Sequence, residues 1–416
     1  MSEWKETDIG QIPIHWYIMT VDEIKAPSKK SIISGPFGSN ISAKYFVESG
    51  VPVVRGNNLS LDIQTKFKDN GFVFVTEEKA NELGTWAEKN DIIFTAVGTI
   101  GQVGILLGKE KYSKYIISNK QLRLRVNTEV VEPLYAYYWF ASPFMIDMIL
   151  QRNTGSSVPL INLSVLKSLL IPLPPKDERI SILNILSSLD DKIDLLHRQN
   201  ATLEKMAETL FRQWFVEEAK EEWEEVELGN LIDVVIDNRG KTPPTVEFET
   251  EYPLIEVNAL NSQSCLVDYT VIRKYVTKET FDTWFRKHLK VNDIIISTVG
   301  TIGVFSIHLA NKGCIAQNLV GLRSSRISSY FLYCFFKSNI ETLINLDIGG
   351  VQPSIKVPHL LGLKIKLPPK DLLNEFNESV GIYFNKIAIN QTQIRTLTAL
   401  RDALLPKLMS GEVRVV

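Results

Sequence analysis

Between residues 176 and 215 the apolar side chains recur in alternating steps of four and three: Ile182, Leu186, Leu189, Ile193, Leu196, then Leu203, Ala207, Leu210 and Trp214. This spacing predicts one long helix with a coiled-coil seam. Its single polar member is Asn200, and one amide in an apolar row fixes register at some cost in stability. The same frame returns near the end of the chain as Phe376, Val380, Tyr383, Ile387, Asn390, Ile394, Leu397, Arg401, Leu404 and Leu408. Each run follows a Leu-Pro-Pro-Lys-Asp lead-in, Leu173 to Asp177 and Leu367 to Asp371. If the two helices pack antiparallel about a pseudo-two-fold axis, pairing Asn200 with Asn390 sets every other layer, from Ile182 with Leu408 to Trp214 with Phe376. The two amides would then satisfy each other, and small Ala207 would face large Tyr383. Only Leu189 opposite Arg401 packs poorly.

The repetition extends over the whole chain. Trp16, Val21 and Ile24 match Trp223, Leu228 and Leu231, and Pro52-Val-Val-Arg-Gly-Asn57-Asn-Leu59 matches Pro253-Leu-Ile-Glu-Val-Asn258-Ala-Leu260. The strongest match sets Asn90-Asp-Ile-Ile-Phe-Thr-Ala-Val-Gly-Thr-Ile-Gly101 against Asn292-Asp-Ile-Ile-Ile-Ser-Thr-Val-Gly-Thr-Ile-Gly303. Leu124-Arg125 and Leu322-Arg323 follow, then the apolar stretches Leu134 to Leu150 and Tyr330 to Leu346, each read as a buried helix. Polar loops bearing glycine come next, Asn153 to Ser157 and Asp347 to Gln352. The offset between copies drifts from 207 residues at Trp16 and Trp223 to 194 at Leu173 and Leu367, so the framework is kept while loops change length. Short β-branched runs (Val51 to Val54, Phe72 to Val75, Ile92 to Thr95, Ile294 to Thr298) predict strands between Gly, Pro and Asn turns. The expectation is an α+β chain of two α/β modules in pseudo-two-fold repeat, separated by two long antiparallel coiled-coil helices. The segments are 1–172, 173–217, 218–366 and 367–416, and the acidic patch from Glu217 to Glu227 forms the joint as a solvated helix end or linker.

Composition narrows the function. With 46 basic and 48 acidic residues the formal net charge is -2, so no global field draws the chain to a polyanion, and any such site is local. Cys265, Cys314 and Cys334 show no CxxC spacing, which reads against zinc and a disulfide framework and suits a reducing cytoplasm. Met1-Ser-Glu-Trp-Lys-Glu is charged at once, unlike a secretory signal. The most apolar run carries Pro143 and Asp147, which excludes it as a membrane span. No catalytic motif survives inspection. Arg239-Gly-Lys-Thr242 resembles the end of a Walker A loop, but Val235 stands where that motif needs glycine, and Pro243-Pro244 follow where its helix would start. Gly35-Pro-Phe-Gly-Ser39 and Val97-Gly-Thr-Ile-Gly101 lack the dinucleotide spacing, and nucleophile elbows, HExxH and paired cysteines are absent.

What remains is a set of loops carrying hydrogen-bonding and basic side chains at matching places in both copies. In the first these are Arg55, Asn57, Asn58, Asn119, Lys120, Gln121, Asn153, Thr154, Ser156 and Ser157; in the second, Asn238, Arg239, Lys241, Asn258, Gln317, Asn318 and Gln352. Arg and Lys suit guanine edges, Asn and Gln suit adenine edges, and Ser or Thr with backbone amides hold phosphates. Any one of them also reads as an ordinary polar turn. A shared framework with divergent loops is what two modules for two short sequences would need. A scaffold without sequence preference, or an enzyme whose site these motifs miss, are the competing classes.

These residues together closely resemble the specificity subunit of type I restriction-modification systems, over nearly the whole length. Gly35-Pro-Phe-Gly-Ser39 and Pro52 to Asn57 look like segments of the family's first target recognition domain, and Ile171-Pro-Leu-Pro-Pro175 through Phe215 and Ile365-Lys-Leu-Pro-Pro369 through Val413 look like its helical spacers. One departure is Glu178-Arg179 and Leu372-Leu373 where the family often has Glu-Gln, which bears on contacts with the partner subunit. The resemblance implies a non-catalytic chain that binds double-stranded DNA at an asymmetric bipartite site, each domain reading one half in the major groove. It implies two modification subunits carrying S-adenosylmethionine and two restriction subunits using ATP and magnesium, with no cofactor on this chain and no membrane. Ile182 to Trp214 would span about 50 Å at ~1.5 Å per residue, more than one DNA turn of roughly 34 Å.

Overall fold

The computed structural model describes residues 3–155, 157–238, 240, 242–260, 264–348 and 352–415. It divides into two units, Met1–Lys192 with Leu397–Val416, and Ile193–Thr396. Each contains a globular α+β part and a share of both long helices, which run Lys176–Arg212 and Lys370–Ser410.

The first unit carries a four-stranded antiparallel sheet in the order Ile32–Ser34, Gln121–Arg125, Asp91–Thr95, Val103–Ile105. A second sheet has Val51–Val54 parallel to Lys114–Ile117, flanked by Val73–Val75 and Trp86–Glu88. The second unit repeats the first sheet as Val234–Ile236, Leu319–Arg323, Ile294–Ser297, Phe305–Ile307, and retains the parallel pair as Leu254–Ile255 with Cys314–Ile315.

The twelve-residue repeat is explained nearly residue by residue. Asn90 and Asn292 have φ of 72° and 71°, a left-handed turn that asparagine tolerates better than most side chains. The next residue, Asp91 or Asp293, is fully buried. Asp91 accepts from Arg125 Nε at 2.7 Å and Nη2 at 2.8 Å, and Asp293 accepts from Arg323 at 2.7 and 2.6 Å. This two-pronged bond ties the start of one central strand to the end of its neighbour, which is why the Leu-Arg pair recurs with the motif. The Ile residues fill both faces of the sheet. Gly98, Gly101, Gly300 and Gly303 all have positive φ and turn the chain at the sheet edge.

Each apolar stretch after the sheet forms two helices instead of one. In the first unit Pro133–Phe140 and Pro143–Gln151 are separated because Ser142 caps the second, its Oγ accepting from Met145 N at 3.3 Å, with Pro143 at the first helical position. Proline there ends a preceding helix and starts the next. In the second unit Ser329–Ser338 and Ile340–Asn345 part at Asn339. Part of the acidic patch is also ordered as a strand: Glu225–Glu227 pairs antiparallel with Lys364–Lys366, so carboxylates face lysines, with Lys364 Nζ 3.1 Å from Glu227.

The long helices begin where Pro175 and Pro369 preset the backbone, the Pro175 and Pro369 carbonyls accepting the first helical bonds from Arg179 N and Leu373 N, with Asp177 and Asp371 in the first turns. They run antiparallel. In the first unit Ile182 and Leu186 share a buried cluster with Leu405, Leu408 and Met409. In the second, Ala207 and Phe211 share one with Phe376, Val380, Phe384 and Ile387, and the Trp214 and Phe376 rings lie 6.1 Å apart. Each fully buried Leu or Phe contributes about 1.5–3 kcal/mol. Asn390 Nδ2 donates to Asn200 Oδ1 at 2.8 Å and to Gln199 Oε1 at 2.8 Å, so the two asparagines share a layer and Gln199 joins them. Arg401 does not simply face Leu189. It is 1% exposed and lies 3.1 Å from Asp190, which also accepts from Lys66 Nζ and Tyr138 Oη.

Candidate nucleic-acid interface

Strand register gathers the loops of each unit at one edge. In the first unit Ser34 pairs with Leu122, Thr95 with Gln121 and Phe94 with Val103, so two strands end and two begin side by side. The parallel pair ends there too, with Ile117 beside Val54 and Ser118 N donating to Val54 O at 2.9 Å. Loops 35–40, 55–58, 96–102 and 118–120 therefore converge. A fifth, 153–155 with 157–160, is pinned to them by Gly98 N to Pro159 O at 2.9 Å and Ile161 N to Ala96 O at 2.9 Å. The second unit makes the corresponding bonds, Gly300 N to Pro353 O at 2.9 Å and Ile355 N to Thr298 O at 2.8 Å. Likewise Ala96 N donates to Lys120 O at 2.8 Å, and Thr298 N to Asn318 O at 2.9 Å. The frame is the same twice, while the side chains at its rim differ.

The candidate residues divide by burial. Asn57, Asn119, Lys120, Asn153, Thr154 and Ser157 are exposed on the first unit's edge, with Arg55 half-buried. Arg55 Nη2 and Asn57 Nδ2 both donate to Gly71 O, at 3.3 and 3.2 Å. Asn58 is fully buried and its amide is committed to the chain: Nδ2 to Lys68 O and Asn70 O, Oδ1 from Arg55 N. Gln121 is also buried, bonded to Ser118 Oγ. These two shape the loops from beneath and do not reach the rim. Asn153 Oδ1 accepts from Gly155 N and Leu160 N, both at 2.9 Å, and Thr154 Oγ1 donates to Leu160 O at 3.1 Å, so each holds its own loop. In the second unit Asn258, Gln317 and Gln352 are exposed, and Asn238 and Asn318 are half-buried. Ser156, Arg239 and Lys241 lie outside the described residues.

Sequence reasoning passed over two residues at this edge. Gln102 bridges two loops, accepting from Thr95 Oγ1 at 2.9 Å and donating to Leu59 O at 3.4 Å. Phe37 stands 85% exposed on the Gly-Pro-Phe-Gly turn; a large apolar residue inside a turn-forming string was the available signal.

The remaining chemistry is structural. Burial lowers Arg123, while its hydrogen bond to Asp91 raises Arg125. Cys265, Cys314 and Cys334 are free and buried, and burial pushes the Cys314 thiol up to about 12, far from a reactive thiolate. Among the described residues no group of His, Cys, Asp and Glu could hold a metal, and no helix is long and apolar enough to cross a membrane. Glu178 and Arg179, where the chain departs from the family's Glu-Gln, are occupied internally. Glu178 accepts from the Trp16 indole at 3.1 Å, and Arg179 Nε lies 2.7 Å from Glu132.

Two modules of one plan, each offering a rim of loops from a rigid sheet, define a paired recognition protein. The family model for the type I restriction modification DNA specificity domain matches residues 7–205 and again 220–399, and the chain belongs to that family. It is 27% identical to the type I restriction enzyme MjaIX specificity subunit of Methanocaldococcus jannaschii, covering 100% of this chain and 97% of that protein. The HindI specificity subunit of Haemophilus influenzae is 22% identical over 78% of this chain and 87% of its own length. The crystal structure of a type I restriction-modification S subunit from M. genitalium matches the fold with a TM-score of 0.55 at 17% identity, covering 94% of this chain and 96% of the other.

Proposed function

We propose that this chain is the DNA specificity subunit of a type I restriction-modification complex, binding an asymmetric bipartite site with one half read by each loop edge. The observation that carries this reading is the doubly built rim: equivalent backbone bonds at 96–98 and 298–300 position different side chains, Asn119-Lys120 in one unit and Gln317-Asn318 in the other. One framework with two sets of reading residues recognises two different half-sites. The exposed candidates are therefore assigned to base and phosphate contacts, and Asn58 and Gln121 to loop support. The chain catalyses nothing itself. Two modification subunits bring S-adenosylmethionine, two restriction subunits bring ATP and magnesium, and these large partners supply much of the salt-dependent phosphate affinity that a chain of net charge -2 lacks. The complex works in the cytoplasm.

The test is genome-wide adenine methylation after co-expression with the cognate modification subunit, against that subunit alone. A bipartite motif should appear only with this chain. Replacing residues 1–172 by those of another family member should change one half of the motif, and deleting one heptad from each long helix should alter only the spacing between halves. Methylation without sequence preference, from a stable complex, would favour the scaffold reading instead.

A further inference from the structure

Phe37 has the largest fractional exposure of any large apolar side chain among the described residues. Single exposed apolar residues are common and need no explanation when they sit on mobile or featureless surface. This one is held rigidly. At Gly35 a Cβ would lie 1.7 Å from Ser118 O, and at Gly38 one would lie 3.1 Å from Asn119 Nδ2, so the loop rests flush on residues 118–119 on both sides of Phe37. Pro36 fixes its own φ. Asn40 N donates to Phe37 O at 2.8 Å, and Ile41 is anchored in a buried cluster with Val53 and Ile116. The ring is thus presented from a pre-formed turn, so little ordering entropy is lost when something covers it. Its neighbours on the rim are the exposed Asn119 and Lys120.

Strand register identifies the equivalent position in the second unit. Leu124 pairs with Ile32 and Leu322 pairs with Val235; counting five residues on from each partner reaches Phe37 and Gly240. Gly240 has a φ of 134° and open space around it. At that position the second unit has no ring; its exposed Phe248 lies eight residues further along the chain.

We propose that Phe37 is a specificity-determining residue of the first unit, reading a thymine through its 5-methyl group in the major groove; this rests on the functional reading above. The major groove offers hydrogen-bond donors and acceptors on every base pair, and the thymine methyl is the one apolar group among them. A rigid apolar ring set among Asn119 and Lys120 matches that group and no other base edge. The second unit has no ring at the equivalent position, Gly240, to make this contact.

The test uses the full chain with its cognate modification subunit. Methylation sequencing of the wild-type complex first gives the motif; absence of any motif overturns the functional reading and this inference with it. Given a motif, its first half contains a T·A pair whose replacement by U·A weakens binding about fourfold, the worth of one apolar carbon. Phe37→Ala weakens binding to the thymine duplex about tenfold and abolishes the difference between thymine and uracil, while Phe37→Leu retains most of both. The second half of the motif is unchanged in every variant. A Phe37→Ala complex that binds and methylates like wild type, or that still distinguishes thymine from uracil, overturns the inference. So does a rise in 2-aminopurine fluorescence in the first half-site that depends on Phe37, because it marks a ring inserted between unstacked bases.

Discussion

Asp190 is the hub of a charged cluster inside the first unit, and its removal should cost far more than its replacement together with its partner. Lys66 Nζ lies 2.5 Å from Asp190, Tyr138 Oη donates at 2.7 Å, and Arg401 Nη1 is at 3.1 Å. Arg401 and Asp190 are almost entirely buried, and among the described residues Arg401 has only Asp402 as a second acid, at 2.8 Å. Asp190→Ala would leave a buried guanidinium and an ammonium facing one another with most of their counter-charge gone. Breaking such a pair from one side costs about 3–5 kcal/mol; because Asp402 is half exposed and still partners Arg401, about 3 kcal/mol is expected. The unit comprises 192 residues plus 20 from the C-terminus, a size at which 1 kcal/mol moves Tm by about 2–4 °C, so its transition should fall by about 6–12 °C. Asp190→Leu with Arg401→Leu removes both charges and lets Lys66 turn to solvent. Its residual cost is the unpaired Tyr138 hydroxyl, about 1–3 kcal/mol. The second unit shows that the layer can be apolar, since the equivalent positions carry Phe384 and Ala207, both buried. Scanning calorimetry of the four members of the cycle would measure the coupling. A fall under about 2 °C for Asp190→Ala, or a double variant that loses the sum of the two singles, would refute the reasoning.

Three further outcomes are expected. Asn390→Val should lower stability by about 1–3 kcal/mol because buried Asn200 loses its partner, whereas Asn200→Val with Asn390→Val should recover it and give mixed oligomers on light scattering, the register mark being gone. Gly35→Ala, whose Cβ would meet Ser118 O, should abolish selectivity in the first half-site and leave the second intact, as read by methylation sequencing. Burial pushes His308 down to about 4, with Nδ1 2.7 Å from Tyr269 Oη and Nε2 buried with no hydrogen-bond partner among the described residues. The unfolded chain therefore binds more protons below the ordinary histidine value near 6.5, so the second unit keeps its full stability above that pH and loses about 1.4 kcal/mol per pH unit as pH falls toward 4. His308→Leu should flatten that part of the urea-midpoint profile.

Much is legible in the amino-acid string alone, because periodicity and repetition are properties of it. The steps of four and three at Ile182, Leu186 and Leu189 require a helix with one sticky face, and the second run at Phe376 to Leu408 requires a similar partner. The doubled Asn-Asp-Ile-Ile motif marked two modules, and its glycines marked turns. Other features depend on what lies across a sheet or a layer. That Asn58 and Gln121 face inward while Asn57 and Lys120 face outward follows from register and loop closure over Lys68, Asn70 and Ser118, since a polar residue in a turn serves backbone and solvent equally well until the backbone has chosen. Arg401 looked like a flaw in the seam because its acid, Asp190, sits beside that seam and its other partners, Lys66 and Tyr138, come from distant segments. Phe37 looked like one more turn residue until Ser118 and Asn119 were seen to press the loop flat and leave the ring in solvent. The sequence by itself determined the doubled plan, the two long helices and the pairing between them, because local sterics and apolar spacing act along the chain; the tertiary structure decided the sheet order, the break in each apolar stretch, and which polar groups are spent inside and which stay exposed, because these depend on partners brought together only by folding.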